Sequence, residues 1–154
     1  MRVLAIVGTQ LRHQYFVSRL AAEHDVVGIL EYSRRLAPKT KCDLTHFDKN
    51  ILDFEARHLD RLRTTEHRVF HETVQVADWT GISLRRVSSK QELNSAETIE
   101  WARSLQADVM IDYGSVILSN EFLGAMSEWK INLHGGLSPY YRGSATLLWP
   151  FYFQ

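Results

Sequence analysis

The order of its apolar runs constrains this chain more than any single motif. Residues 2–7, RVLAIV, are β-branched and apolar and stop at Gly8. QLRHQYFVSRLAAEH follows, with Leu11, Tyr15, Phe16 and Leu20 at helical spacing, and DVVGILEY is a second apolar run. A strand, a tight turn, a helix and a strand within about 30 residues form a βαβ unit, whose crossover makes the two strands parallel. The alternation resumes downstream. ISLRRVS reads as a strand, and Ser95 to Leu105 as a helix capped by Asn94 or Ser95, with Glu97 in its first turn. ADVMIDYG reads as a buried strand ending at Gly114, SNEFLGAMSE as a short helix opened by Ser119 or Asn120, and WKINLH as the next strand. SATLLWPFYFQ has the pattern of a further helix. These elements predict one α/β domain over residues 1–154: an open, mostly parallel, Rossmann-like sheet with helices on both faces.

One stretch breaks the alternation. Residues 38–80 are charged and carry no strand signal. Ile51, Leu52, Phe54, Leu59 and Leu62 fit one amphipathic helix, and Val69, Phe70, Val74 and Val76 fit another ending near Gly81. The pattern predicts a helical insertion built as a pair of helices.

Charge and cysteine usage exclude several classes. Lys plus Arg and Asp plus Glu number 18 each, for a net charge of zero and a pI near 7.1. Balance of this kind gives no electrostatic reason to expect a nucleic acid or a membrane as partner. Cys42 is the single cysteine, so no internal disulfide can form and a reducing, cytoplasmic location is expected. MRVLAIVG lacks the long apolar region and cleavage site of a signal peptide.

Ligands of open α/β sheets sit beyond the carboxyl ends of the strands, where the strand order reverses. The loops after Val7, Asp112 and His134 are therefore the places to search. VGTQLRHQ has one glycine where a dinucleotide fingerprint needs three, and no Walker lysine is present. The free amides of the following helix still suit a phosphate or carboxylate. His67 and His71, four apart beside Glu66 and Glu72, share a helix face but lack the HExxH order, so a solvated helix is expected there and no metal. Ser115, Ser119 and Ser138 sit in no nucleophile elbow and read as turn and cap residues.

Asn132 and His134 carry more. Residues i and i+2 of a strand share a face, which would set a carboxamide donor for an oxyanion beside a group that accepts or gives a proton. Gly135 and Gly136 would keep the space beyond the strand open. Asn-x-His alone fits a structural histidine bonded to a loop equally well.

The longer string INLHGGLSPYYRGSATLLWPFY resembles the signature of the formyltransferases that use 10-formyltetrahydrofolate, which act on methionyl-tRNA, glycinamide ribonucleotide or amino-sugars. The matching residues are Asn132, His134, Leu137, Pro139, Tyr141, Arg142, Gly143 and Trp149. ADVMIDYGSVILSNEFL is similar to the family's folate-lining strand and loop, and the N-terminal run to its first βαβ unit. The resemblance spans nearly the whole chain except residues around 40–78. It implies direct attack of a primary amine on the formyl carbon, with Asn132 holding the oxyanion and His134 moving the proton. It further implies that Tyr113, Gly114, Ser115, Val116, Ile117, Leu118 and Gly136 line the folate cosubstrate. Gly8, Thr9 and Gln10 would contact the amine acceptor, and Arg142 would either join them by binding an acidic group of a ligand or hold the loop in place. Tyr140, Trp149 and Phe151 read as packing residues, and no metal is implied.

The departures are specific. Ser138 stands where the family usually has Leu, Thr146 lies where a Pro is frequent, and Asp112 where a small or apolar residue is usual. The family's third catalytic group, an aspartate, is expected beyond Gln154. The chain therefore reads as an incomplete catalytic domain, with little or no activity expected of residues 1–154 alone. The expected partner is a small-molecule amine, with an amino-sugar favoured over tRNA; neither membrane nor nucleic acid is expected, and a homodimer stays open. The competing reading is a non-catalytic folate- or nucleotide-sugar-binding module.

Overall fold

The computed structural model describes residues 1–33, 49–136 and 140. Five strands form one all-parallel sheet: β1 (Arg2–Gly8), β2 (Asp25–Tyr32), β3 (Ser83–Val87), β4 (Val109–Tyr113) and β5 (Trp129–Asn132). Their order is β3-β2-β1-β4-β5. β1 is hydrogen-bonded on both edges and covered on both faces, which is why its sequence is apolar without alternation. The chain builds outward from β1 to β2 and β3, then returns to place β4 and β5 on the other side. The order reverses between β1 and β4, so the fold is of the Rossmann-like α/β class.

Each face of the sheet has its own core. Leu4, Ile6, Leu30 and Met110 point to one face, where Ile99, Trp101 and Leu105 of helix α4 (Ala96–Ser104) and its C-cap pack with Phe122 of α5 (Asn120–Ala125). Val3, Ala5, Val7, Ile29 and Ile111 point to the other, against Phe16, Val17 and Leu20 of α1 (Leu11–Glu23). Strand alternation sorts these residues between the two cores, with one extra residue in β2, at Val27, shifting its phase between Val26 and Gly28.

The inserted segment differs from expectation. Within the described residues it is one continuous helix, α2 (Lys49–Gln75), and not a pair. No glycine or proline separates its two apolar groups, so nothing ends the helix between Leu62 and Val69. The change of apolar phase marks which part docks. Tyr15 and Phe70 stack with centroids 4.6 Å apart, and Arg12 pairs with Glu66, tying the second half to α1. Phe54, Leu59, Leu62 and Val69 remain exposed.

Smaller differences have local causes. A short helix, α3 (Lys90–Leu93), precedes α4, started by the Ser89 hydroxyl accepting from the Glu92 amide. Ser95 and Ser119 are the caps, accepting from Thr98 and Phe122. β5 ends at Asn132, two residues short of the expected WKINLH run, and its residues are exposed as befits an edge strand. The expected SATLLWPFYFQ helix lies outside the described residues.

Thr98 is the fully buried polar residue of the first core. Its hydroxyl donates to the Glu92 carbonyl at 2.8 Å and accepts from Arg85 Nε at 3.1 Å, joining β3 to the α3–α4 corner. Thr98→Val keeps the volume and removes both of these bonds, together with the one the hydroxyl accepts from Ser95 Oγ at 3.1 Å. The expected cost is about 1–3 kcal/mol in urea unfolding, the penalty for stranding buried polar groups. An unchanged midpoint would show that this corner is held by packing alone.

Candidate functional site

Three strands bring the sequence-selected residues to one edge. β1 ends at Gly8, β4 at Tyr113 and β5 at Asn132. The register sets Ile6 beside Asp112 and Asp112 beside Asn132. Neighbouring strands lie about 4.8 Å apart with paired side chains on one face. Asp112 and Asn132 therefore form a polar end to a row that begins in the apolar core. The Leu133 amide continues the ladder by donating to the Asp112 carbonyl at 2.8 Å.

The gap between the ends of β1 and β4 is filled by His13, which lies on the buried stripe of α1 and is 4% exposed. Its ring sits where side chains on two glycines would otherwise stand. A Cβ on Gly8 would fall 2.6 Å from His13 Nδ1, and one on Gly114 2.7 Å from Nε2. Gly114 also has φ +86°, which favours glycine in its own right. His13 Nδ1 accepts from the Gln10 amide at 3.3 Å, and the ring meets Tyr113 edge-on at 4.7 Å. Burial and then the Arg12 guanidinium push the His13 pKa down to about 4, against the Glu66 carboxylate and a hydrogen bond to the Gly8 backbone. The imidazole is thus neutral at physiological pH and acts as a wedge.

Asp112 is held from the loop that follows it. Its Oδ1 accepts from the Ser115 amide at 3.2 Å and its Oδ2 from the Ser115 hydroxyl at 2.7 Å. Burial raises its pKa, and the two Ser115 bonds only partly oppose that. The rest of the loop is pinned by Asn94. That side chain accepts from the Ser119 amide at 2.6 Å and donates to the Ile117 carbonyl at 3.3 Å. Val116 and Leu118 pack on the first core, whereas Ile117 is 78% exposed.

The predicted residues are only partly brought together. Gly8, Tyr113 and Gly114 converge on His13, and Ser115 joins Asp112 beside Asn132. Thr9 and Gln10 are exposed on the turn after β1. Asn132 and His134 are both exposed, and no hydrogen bond between them is described. Because β5 stops at Asn132, strand alternation no longer dictates where His134 points. His134 Nδ1 lies 3.2 Å from both the amide and the carbonyl of the half-buried Gly136. This is the loop bond expected of a structural histidine, and among the described residues it leaves Nε2 unengaged. Tyr140, expected to pack, is 80% exposed to the described residues. Arg142 lies outside the described residues.

The sequence reading does not single out His13, and it singles out Asn94 only as a candidate helix cap. A signal for His13 existed: it is four residues before Val17 and seven before Leu20, on the stripe that must face the sheet. Among the described residues no group of three or more metal-ligating side chains is gathered. His67 and His71 stack ring on ring, 4.1 Å between centroids. No described helix is long and apolar enough to cross a membrane.

Two pH effects of opposite sign are expected. Below pH 6.5 the unfolded chain protonates His13, while the folded chain resists until about pH 4. Stability therefore falls across that window, by about 3 kcal/mol at one pKa unit per 1.36 kcal/mol. His13→Phe should flatten that part of the urea-midpoint profile; an unaltered profile would place the effect elsewhere. Asp112 has its folded pKa raised, so its contribution favours folding below its unfolded value of 3.8 and is lost as pH rises through the folded value. Asp112→Asn, which keeps an acceptor for Ser115, should gain stability over the parent at pH 7.5 and not at pH 3.5. An equal difference at both pH values would refute a desolvated carboxylate.

No protein-family model matches the chain, and what this edge can do is argued below from its own residues.

Proposed function

We propose that this domain serves the transfer of a formyl group from 10-formyltetrahydrofolate to a primary amine, most simply that of an amino-sugar, in a protein that also supplies the expected third catalytic carboxylate. The observation that carries the reading is Asn132 closing β5 at the carboxyl edge, in register with Asp112 and two residues before His134. The support is twofold: an edge of an α/β sheet where ligands bind, and the sequence string that resembles the formyltransferase signature.

The chemistry requires few groups. The amine nitrogen attacks the formyl carbon and the carbonyl pair moves onto oxygen. The Asn132 amide donates to that oxyanion, at the place where charge develops. His134, through Nε2, takes a proton from the attacking nitrogen and returns it to the folate nitrogen as the carbon–nitrogen bond breaks. Tetrahydrofolate and a formamide leave. The loop from Tyr113 to Leu118, with Gly136, would hold the pterin, its backbone fixed by Asn94 and Ser115. Gly8, Thr9 and Gln10 lie across the same edge for the acceptor.

The test begins with binding. Calorimetric titration with 5-formyltetrahydrofolate, a stable folate, should give saturable one-site binding, and its absence would end this reading. In a full-length form that carries the third catalytic aspartate, with 10-formyltetrahydrofolate and a panel of amino-sugars and nucleotide-linked amino-sugars, Asn132→Ala should lower kcat about 10²–10³-fold. His134→Ala should lower it about 10²–10⁴-fold. Folate affinity should change little in either variant. Folate binding without turnover of any amine would favour a binding module over an enzyme.

A further inference from the structure

The face of the sheet opposite Asp112 and Asn132 carries a cavity of about 390 Å³. It lies over the carboxyl halves of β1, β2 and β3, between α1 and the end of α2. Its size falls within the range of small-molecule sites, which are mostly apolar with a few convergent polar groups. The composition matches that description. Val17, Leu84 and Trp79 form apolar walls, and Gln14, Glu31 and Arg86 supply the polar groups.

The polar groups narrow the ligand. Glu31 is the penultimate residue of β2, 23 residues after Gly8, with its side chain 17% exposed. An acid at the end of the second strand, about 20 residues past the first glycine, is where a Rossmann-type sheet meets ribose hydroxyls. The reason is geometric, because a carboxylate accepts two O–H donors and a vicinal diol presents two. Arg86 Nε donates to Glu31 Oε1 at 3.0 Å. Among the described residues no hydrogen bond engages Oε2.

The turn after β1 narrows it further. A pyrophosphate reaches such a turn only over bare glycine backbone, and here the His13 ring occupies the space above Gly8. Within the cavity the Glu31 carboxylate pairs with Arg86, so the guanidinium's charge is already answered and leaves no net positive charge to draw a phosphate. A dinucleotide is therefore excluded from the turn, while a base and a sugar are not.

We propose that this cavity binds a ribonucleoside moiety, with its base against Trp79 and Leu84 and its 2′,3′-diol on Glu31. The site lies on the other face of the sheet from Asn132 and His134 and shares with the proposed transfer site only the backbone of Gly8.

Calorimetry and saturation-transfer NMR on the full chain, with adenosine and uridine and their 2′-deoxy counterparts, test the proposal. At least one ribonucleoside should bind saturably at one site, and its 2′-deoxy form at least tenfold more weakly. Glu31→Gln should bring the ribonucleoside close to the deoxy affinity while barely affecting the deoxy form. Val74→Trp, which fills the cavity from α2, should abolish binding of both, with circular dichroism confirming the fold. If Val74→Trp fails to fold, the Glu31→Gln comparison decides alone. No saturable binding up to millimolar nucleoside, equal affinity for the deoxy forms, or undiminished binding by folded Val74→Trp would each overturn the assignment.

Discussion

The edge of this sheet is organised around one imidazole in a space left by two glycines. At the switch point the chain leaves β1 for a helix on one face and leaves β4 for a helix on the other. The two departing loops diverge and open a gap in the middle of the most buried part of the sheet. Filling it with a large apolar residue would cover the backbone but leave the Gln10 amide unanswered. His13 fills the gap and accepts from that amide. It remains neutral there because desolvation outweighs the Glu66 carboxylate near its neighbour Arg12. The Arg12–Glu66 pair beside it carries the tie outward, from α1 to α2.

How far this was legible in the sequence follows from what each element depends on. β1, β2 and β4 were readable because strands buried on both faces must be apolar throughout, and RVLAIV, VVGIL and VMI show it directly. α2 was misjudged because a shift in apolar phase resembles a break in the helix. The shift reports instead where α1 stops covering it, since Phe70 docks and Leu62 does not. β5 was overestimated because its length is set by pairing with β4, which turns away at Tyr113. Local pattern cannot contain the length of a neighbour.

The candidate site divides along the same line. Asn132 at a strand end was readable, being a matter of period and position. His13 was not selected because its role depends on Gly114, about a hundred residues away, whose positive φ and missing side chain make the space. Asp112 was visible as an anomaly without a cause. The register supplies one: it is the cross-strand neighbour of Asn132, and its carboxylate is kept in place by Ser115. A desolvated carboxylate opposes folding at neutral pH, and such groups concentrate where chemistry needs them.

The two faces of the sheet carry different polar residues at a common edge. Asp112 and Asn132 belong to the row that continues Leu4 and Ile6, whereas Glu31 belongs to the row with Val7 and Ile29. Three strand spacings, about 14 Å, separate β2 from β5. A ligand joining a nucleoside at Glu31 to an amine at Asn132 would have to cross the edge above the wedge, over Gly8 and Gly114. The His13 ring stands in that crossing, filling the space that side chains on Gly8 and Gly114 would take. A side chain on either glycine would displace the ring or raise the barrier between the two faces. The same two missing side chains that let the edge close over its core therefore give the ring its place, and the ring separates what the two faces can hold.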